Sequence, residues 1–132
     1  MPRTDPRQGA SVLSRLGALC YAAWGLFHIK VAVDIWWLGA GQRGLVQGRL
    51  YQLAAYMVTI AVFVLVVGLW RNWRNDRLGY WLNLGVAGWA DSIWVLVVVL
   101  PGYVGPARGL VPPAFYVGGA VLTTLARRDR ER

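Results

Sequence analysis

A histidine, a lysine and two aspartates stand in stretches that are otherwise apolar: His28, Lys30, Asp34 and Asp91. Each can hold or pass on a charge. An imidazole exchanges protons near neutral pH, and a carboxylate accepts hydrogen bonds or takes a proton. Arg49, Gln52, Tyr56 and Thr59 lie along a second apolar stretch, and Asn83 and Ser92 lie near Asp91 in a third. An ionisable side chain inside a membrane span costs about 2.5–3.5 kcal/mol on insertion-based scales, so it needs a partner or a function.

Lys30 and Asp34 are four residues apart, a spacing that pairs them on one helix face. Arg49 is a second candidate partner for Asp34, because the end of the first stretch and the start of the second fall on the same outer side of the membrane. Asp91 has no charge near it in its own stretch. His28 and Asp91 each fall near the middle of a stretch, so we expect them to face each other. Such a pair would shuttle a proton, hold a polar ligand or clip two helices together. The expected ligand-binding or ion-pathway residues are therefore His28, Lys30, Asp34, Arg49, Tyr56 and Asp91. His28 and Asp91 are the candidates for proton transfer in an enzyme, and no catalytic role is assigned to either.

Other chemistries find little support. One His and one Cys cannot supply the three or four protein ligands of a zinc site, so no metal is expected. A haem would take His28 as one axial ligand, and a dimer would supply two, but a lone His points to no cofactor. The chain has no GxSxG, no HExxH and no P-loop. It has no CxxC, and Cys20 reads as a small apolar residue.

The elements that must position these groups are long apolar helices. Spans are expected at about 16–38, 50–70, 79–100 and 110–126, with polar ends at 1–15 and 127–132. The basic start resembles a leader, but the apolar run after it is too long for one, so the first helix is expected to be retained. The β-branched run from Thr59 to Val67 suits a strand, yet a stretch of this length in lipid must bond its backbone internally. Pro112 and Pro113 suit the first turn of a helix. The fold read from these segments is all-α, an integral membrane four-helix up-down bundle forming a single domain over residues 1–132. Gly85, Gly88 and Ser92, and likewise Gly118, Gly119 and Ala120, would let helices approach closely, within one chain or in a homodimer.

The net charge of +8, from 14 Lys+Arg against 6 Asp+Glu, would ordinarily suggest nucleic acid. Here 57% of residues are hydrophobic and only 15% charged, which excludes a basic soluble module and a disordered chain. The arginines sort by connection instead. Arg3, Arg7, Arg15, Arg71, Arg74, Arg77, Arg127, Arg128, Arg130 and Arg132 share one side of a four-span chain. Arg43, Arg49 and Arg108 occupy the other. A bias of ten to three places both termini in the cytoplasm of an inner (plasma) membrane protein. Trp36, Trp37, Trp70, Trp73, Tyr80 and Trp81 read as headgroup-level anchors, while Trp24, Trp89 and Trp94 pack the core or wall a pocket.

The segment Tyr21-Ala22-Ala23-Trp24-Gly25-Leu26-Phe27-His28 places a Gly shortly before a His in the first span. In this and in its length it resembles small four-helix DoxX-like and related bacterial membrane proteins. The resemblance implies a four-helix bundle and carries over no catalytic residue. The leading reading is a multi-span protein with a polar intramembrane pocket that binds or moves a small ligand or proton, or acts as an accessory subunit. The alternative is a membrane-embedded isomerase or oxidoreductase that acts on a lipid-soluble substrate by His/Asp proton transfer. A third is a structural partner whose polar groups only lock helices. The expected partners are the lipid bilayer, a second copy or a larger complex, and a small apolar ligand, with no nucleic acid.

Overall fold

Hydrocarbon offers the backbone no hydrogen bonds, so long apolar segments close their own. A computed structural model describes residues 6–131 of the chain, with side chains from Val12 to Arg130. Arg3 and Arg132, and the side chain of Arg7, lie outside the described residues. Helices α1 (Pro6–Ala40), α2 (Gly44–Trp70), α3 (Arg77–Trp94), α4 (Pro106–Gly109) and α5 (Val111–Glu131) follow in order, and no strand occurs among the described residues. The chain is all-helical, as its hydropathy requires.

Three segments are long and apolar enough to cross a membrane: Val12–Ala40, Gly44–Arg74 and Arg77–Val99. Large apolar side chains remain open on their outer faces, among them Trp37 at 70%, Trp89 at 72% and Leu100 at 70% exposure. A surface of this kind suits hydrocarbon and not water. α5 does not join the three, because two prolines, two threonines and the basic end dilute its apolar run. Helices also run past the apolar segments. α1 is already helical at Pro6, the first described residue, and α2 starts at Gly44.

The turns are set locally. Gly44 opens α2 with φ +63, a conformation that costs glycine nothing because it lacks a Cβ. Between α2 and α3 a 3₁₀ turn, Asn72–Arg74, leads to Asn75 in the left-handed region at φ 54. Asp76 then caps α3 by accepting from the Gly79 N–H at 3.1 Å. The same carboxylate oxygen accepts from Arg71 Nη1 at 2.8 Å. Asn75 Nδ2 donates to the Ala126 carbonyl at 3.0 Å and ties this corner to α5. Toward its far end α3 widens into a π turn, Val95–Val99, just before Pro101. Trp94 Nε1 donates to the Gly109 carbonyl at 2.7 Å and anchors α4 beneath it.

α1 packs along both α2 and α5, and α3 touches the same two helices. The close approaches rest on glycines. A Cβ on Gly25 would meet the Ala61 carbonyl oxygen at 2.8 Å, and one on Gly17 would meet the Thr123 side chain at 2.6 Å. Gly119 lies against the Tyr21 ring. Of the small residues expected to pack, Gly88 meets Tyr116 and Gly118 meets Cys20, while Gly85 faces open space. Tyr21, Trp24, Val64 and Ala87 form the buried core, bordered by Val86, Ala90 and Tyr116.

The α2–α3 corner carries a pH dependence. The Arg71 guanidinium, then the Gly79 N–H, hold the Asp76 carboxyl below its usual value of 3.8. A depressed folded-state value adds stability above the usual one, and this is lost as pH falls through the lowered value. Solvent screens the exposed pair, so the effect is small. Thermal unfolding in detergent should show wild type above Asp76→Asn at about pH 5, with the difference closing toward about pH 2. A difference that stays constant with pH would assign the cap no role.

Candidate functional site

The midpoint of the first long segment falls close to His28, and the midpoint of the third falls close to Asp91. The two are therefore at similar depth, but they do not bond to each other. Trp24 stands between them. Its indole Nε1 donates to Asp91 Oδ2 at 2.9 Å in a buried hydrogen bond. Its ring stacks on the His28 imidazole with centroids 3.7 Å apart and planes 28° apart. The direct His28–Asp91 pairing expected from depth is thus corrected to a relay of contacts through one indole. The reason is reach: α1 and α3 scarcely approach by backbone, and the longest side chain at the crossing fills the gap.

The geometry fixes the neutral tautomer of His28. Nδ1 lies 2.8 Å from the Trp24 carbonyl oxygen, an atom with no hydrogen to give. Nδ1 therefore donates, and Nε2 keeps its lone pair. The i to i+4 spacing of Trp24 and His28 produces both the bond and the stack.

Asp91 is 4% exposed, and its second oxygen, Oδ1, is buried with no hydrogen-bond partner. Asn83 and Ala87 precede it at intervals of four, and all three are buried on one face of α3. Asn83 Nδ2 donates to the Val64 carbonyl at 3.1 Å, clipping α3 to α2. Asn83 Oδ1 is likewise buried without a partner. α3 therefore presents an inward polar line of two acceptor oxygens held on rigid helix backbone. A buried carboxyl oxygen left bare is costly, and it is satisfied by a proton or by a donor from a bound molecule.

The remaining expected residues lie elsewhere. Lys30 and Asp34 form an ion pair at i, i+4, with side chains 71% and 54% exposed. The pairing of Asp34 with Lys30, not Arg49, follows from their place on one helix. Arg49 Nη1 instead donates to Gln52 Oε1 at 3.0 Å, and Gln52 Nε2 donates to the Tyr56 hydroxyl at 2.7 Å. That chain runs along the exposed face of α2. So the structure brings His28 and Asp91 into one cluster and leaves Lys30, Asp34, Arg49 and Tyr56 outside it. No group of three His, Cys, Asp or Glu occurs among the described residues.

Sequence reasoning missed the part played by Trp24 and Asn83. The spacing of Trp24 and His28, and of Asn83 and Asp91, was the available signal. An indole N–H buried near mid-span needs an acceptor, and Asp91 is the carboxylate at that depth.

Removing the donor should cost more than replacing the acceptor. Trp24→Phe keeps an aromatic ring but leaves Asp91 with neither oxygen paired, and should destabilise the fold by about 1–3 kcal/mol. Asp91→Asn still offers the indole a carbonyl oxygen and should cost less than about 1 kcal/mol. Thermal or denaturant unfolding in detergent measures both, and equal losses would remove the special status of this bond. No family model matches the chain, and no curated protein or solved structure shows significant similarity to it.

Proposed function

We propose that the chain is a small multi-span inner-membrane protein whose Asp91 site binds or moves a proton or a small donor-bearing ligand. One observation carries this reading: a carboxylate at membrane depth has one oxygen held by Trp24 and the other buried and unpartnered. Trp24 keeps the carboxylate oriented while Oδ1 exchanges a proton for an N–H or O–H of the ligand. His28 Nε2, on the half-buried imidazole stacked against the face of the same indole, is a second acceptor nearby.

A four-helix up-down bundle with α5 as the fourth span, and with both ends cytoplasmic, supplies the frame for this site. The ten-to-three sorting of arginines supports that topology, as does the resemblance of Tyr21–His28 to DoxX-like proteins. Direct His28–Asp91 proton exchange on a lipid-soluble substrate is less well served, because the indole separates the two groups.

Liposomes loaded with a pH-sensitive dye provide the test. Wild type should carry protons, or a proton-coupled ligand, faster than empty vesicles. Asp91→Asn should lose at least about tenfold of that flux while staying folded, since the amide cannot exchange the proton. His28→Ala should slow it less. Full activity in both variants would end the reading.

A second reading has its own observation. Lys30 and Asp34 point out of the chain within the first apolar segment, where the core of this chain does not cover them. An accessory or self-associating protein would cover such a pair with a partner helix, and opposite charges on one face are self-complementary across a two-fold axis. Val33 is 48% exposed between them. In a Cys20→Ser background, Val33→Cys should then cross-link in native membranes to the size of two chains. A chain that stays monomeric under oxidant would leave the pair facing lipid.

A further inference from the structure

At the corner between α2 and α3, far along the chain from Asp91, a cleft of about 420 Å³ is lined by Asn75, Asp76, Arg77, Arg127 and Arg130. Its volume lies within the range of about 300–1,000 Å³ common to small-ligand sites. Three of its five residues are arginines. The one carboxylate, Asp76, already accepts from Arg71 Nη1 at 2.8 Å and from the Gly79 N–H at 3.1 Å. Its charge is offset by Arg71, a guanidinium outside the lining, so the lining as a whole stays basic.

Two of those groups are held in place. The Arg127 guanidinium lies over the Tyr80 ring, 5.2 Å from its centroid, and Tyr80 is fixed by a 3.0 Å hydrogen bond with Thr124. Arg130 Nη1 donates to the Asn75 carbonyl at 3.2 Å. A guanidinium carries five N–H donors, so this single bond leaves Arg130 others to offer. Asn75 is itself fixed by its bond to Ala126 and by the turn. Tryptophans stand at the same corner: Trp70 and Trp81 are 60% and 57% exposed, and Trp73 is 37% exposed. Exposed indoles at the end of an apolar helix mark the headgroup level.

We infer that this cleft is a binding site for a phosphate-bearing anion at the membrane surface, with Arg77, Arg127 and Arg130 as its ligands. Planar guanidinium groups match phosphate oxygens two at a time, and basic recesses between helices at a membrane face take lipid headgroups. The shared chemistry is a phosphate monoester or diester, supplied by an anionic phospholipid or by a soluble phosphate compound. The inference is independent of Asp91 and requires only that the corner stand at a membrane surface.

Native mass spectrometry of the full chain released from detergent tests it, with phosphatidylglycerol and phosphatidylcholine as probes. Wild type should retain the anionic lipid at least about tenfold better than the zwitterionic one. Arg77→Gln with Arg130→Gln should remove most of that preference. Arg128→Gln, the same charge change as Arg77→Gln alone but on an exposed residue outside the cleft, should leave it intact. If the double variant unfolds at lower temperature than wild type, Arg77→Gln alone gives the reading, because that side chain is exposed at the first turn of α3. It should still lower retention several-fold. Inorganic phosphate added alone is the second arm. Heat protection of wild type but not of the Arg77 variant identifies a soluble phosphate, and its absence beside retained lipid identifies the headgroup. Equal retention of the two lipids with no protection by phosphate, or a loss in Arg128→Gln equal to that in the double variant, overturns the site.

Discussion

The hydrogen bond from the Trp24 indole to Asp91 joins two helices that barely approach each other by backbone. It satisfies one oxygen of a buried carboxylate and the only polar atom of a buried indole at once. Much else is arranged around it. Tyr21, Val64 and Ala87 pack about the indole, and His28 stacks on its face. Gly25, next in sequence, lets α2 come close enough to seal that core. In hydrocarbon, neither the carboxylate nor the N–H can fall back on water. The bond therefore fixes the relative rotation of α1 and α3 as well as their distance.

The polar groups divide into three sets with different physics. The inward set, Trp24, His28, Asn83 and Asp91, sits on helix backbone and is fixed by packing. The outward set, Lys30 with Asp34 and Arg49 with Gln52 and Tyr56, is satisfied within its own helix at one-turn spacing. The surface set gathers at the α2–α3 corner, where Arg71, Asp76, Asn75 and Arg130 close a turn against α5. Of these groups only Trp24, Asn83 and Asp91 are buried, with His28 half-buried beside them. Local pairing keeps the outward groups bearable in an apolar solvent, while leaving their donors and acceptors accessible to another chain.

Much was legible before any fold was known. Long charge-poor runs require helices, and the three longest are long and apolar enough to span. The Lys30–Asp34 pair follows from a spacing of four. Asp91 was marked by its isolation in an apolar segment, and it is the buried carboxylate at the centre of the site. That Trp24 would stand between His28 and Asp91 was not legible, nor was the grouping of Arg49 and Tyr56 away from both. Similar depth brings residues to one level but does not turn them toward each other.

Composition and spacing by themselves determined the solvent this chain is built for, its helical class, and the pairing of Lys30 with Asp34 one turn apart. Those properties depend on length, hydropathy and local geometry, which a linear chain carries. The tertiary structure decided which way each helix faces. α2 is apolar almost all round, so no stripe in its sequence announces a buried side. The choice fell to shape: where glycines allow contact, where an indole reaches across, and where a carboxylate at mid-depth finds its single donor. The cleft of arginines, drawn from residues about fifty apart, likewise exists only once α5 returns to the corner between α2 and α3.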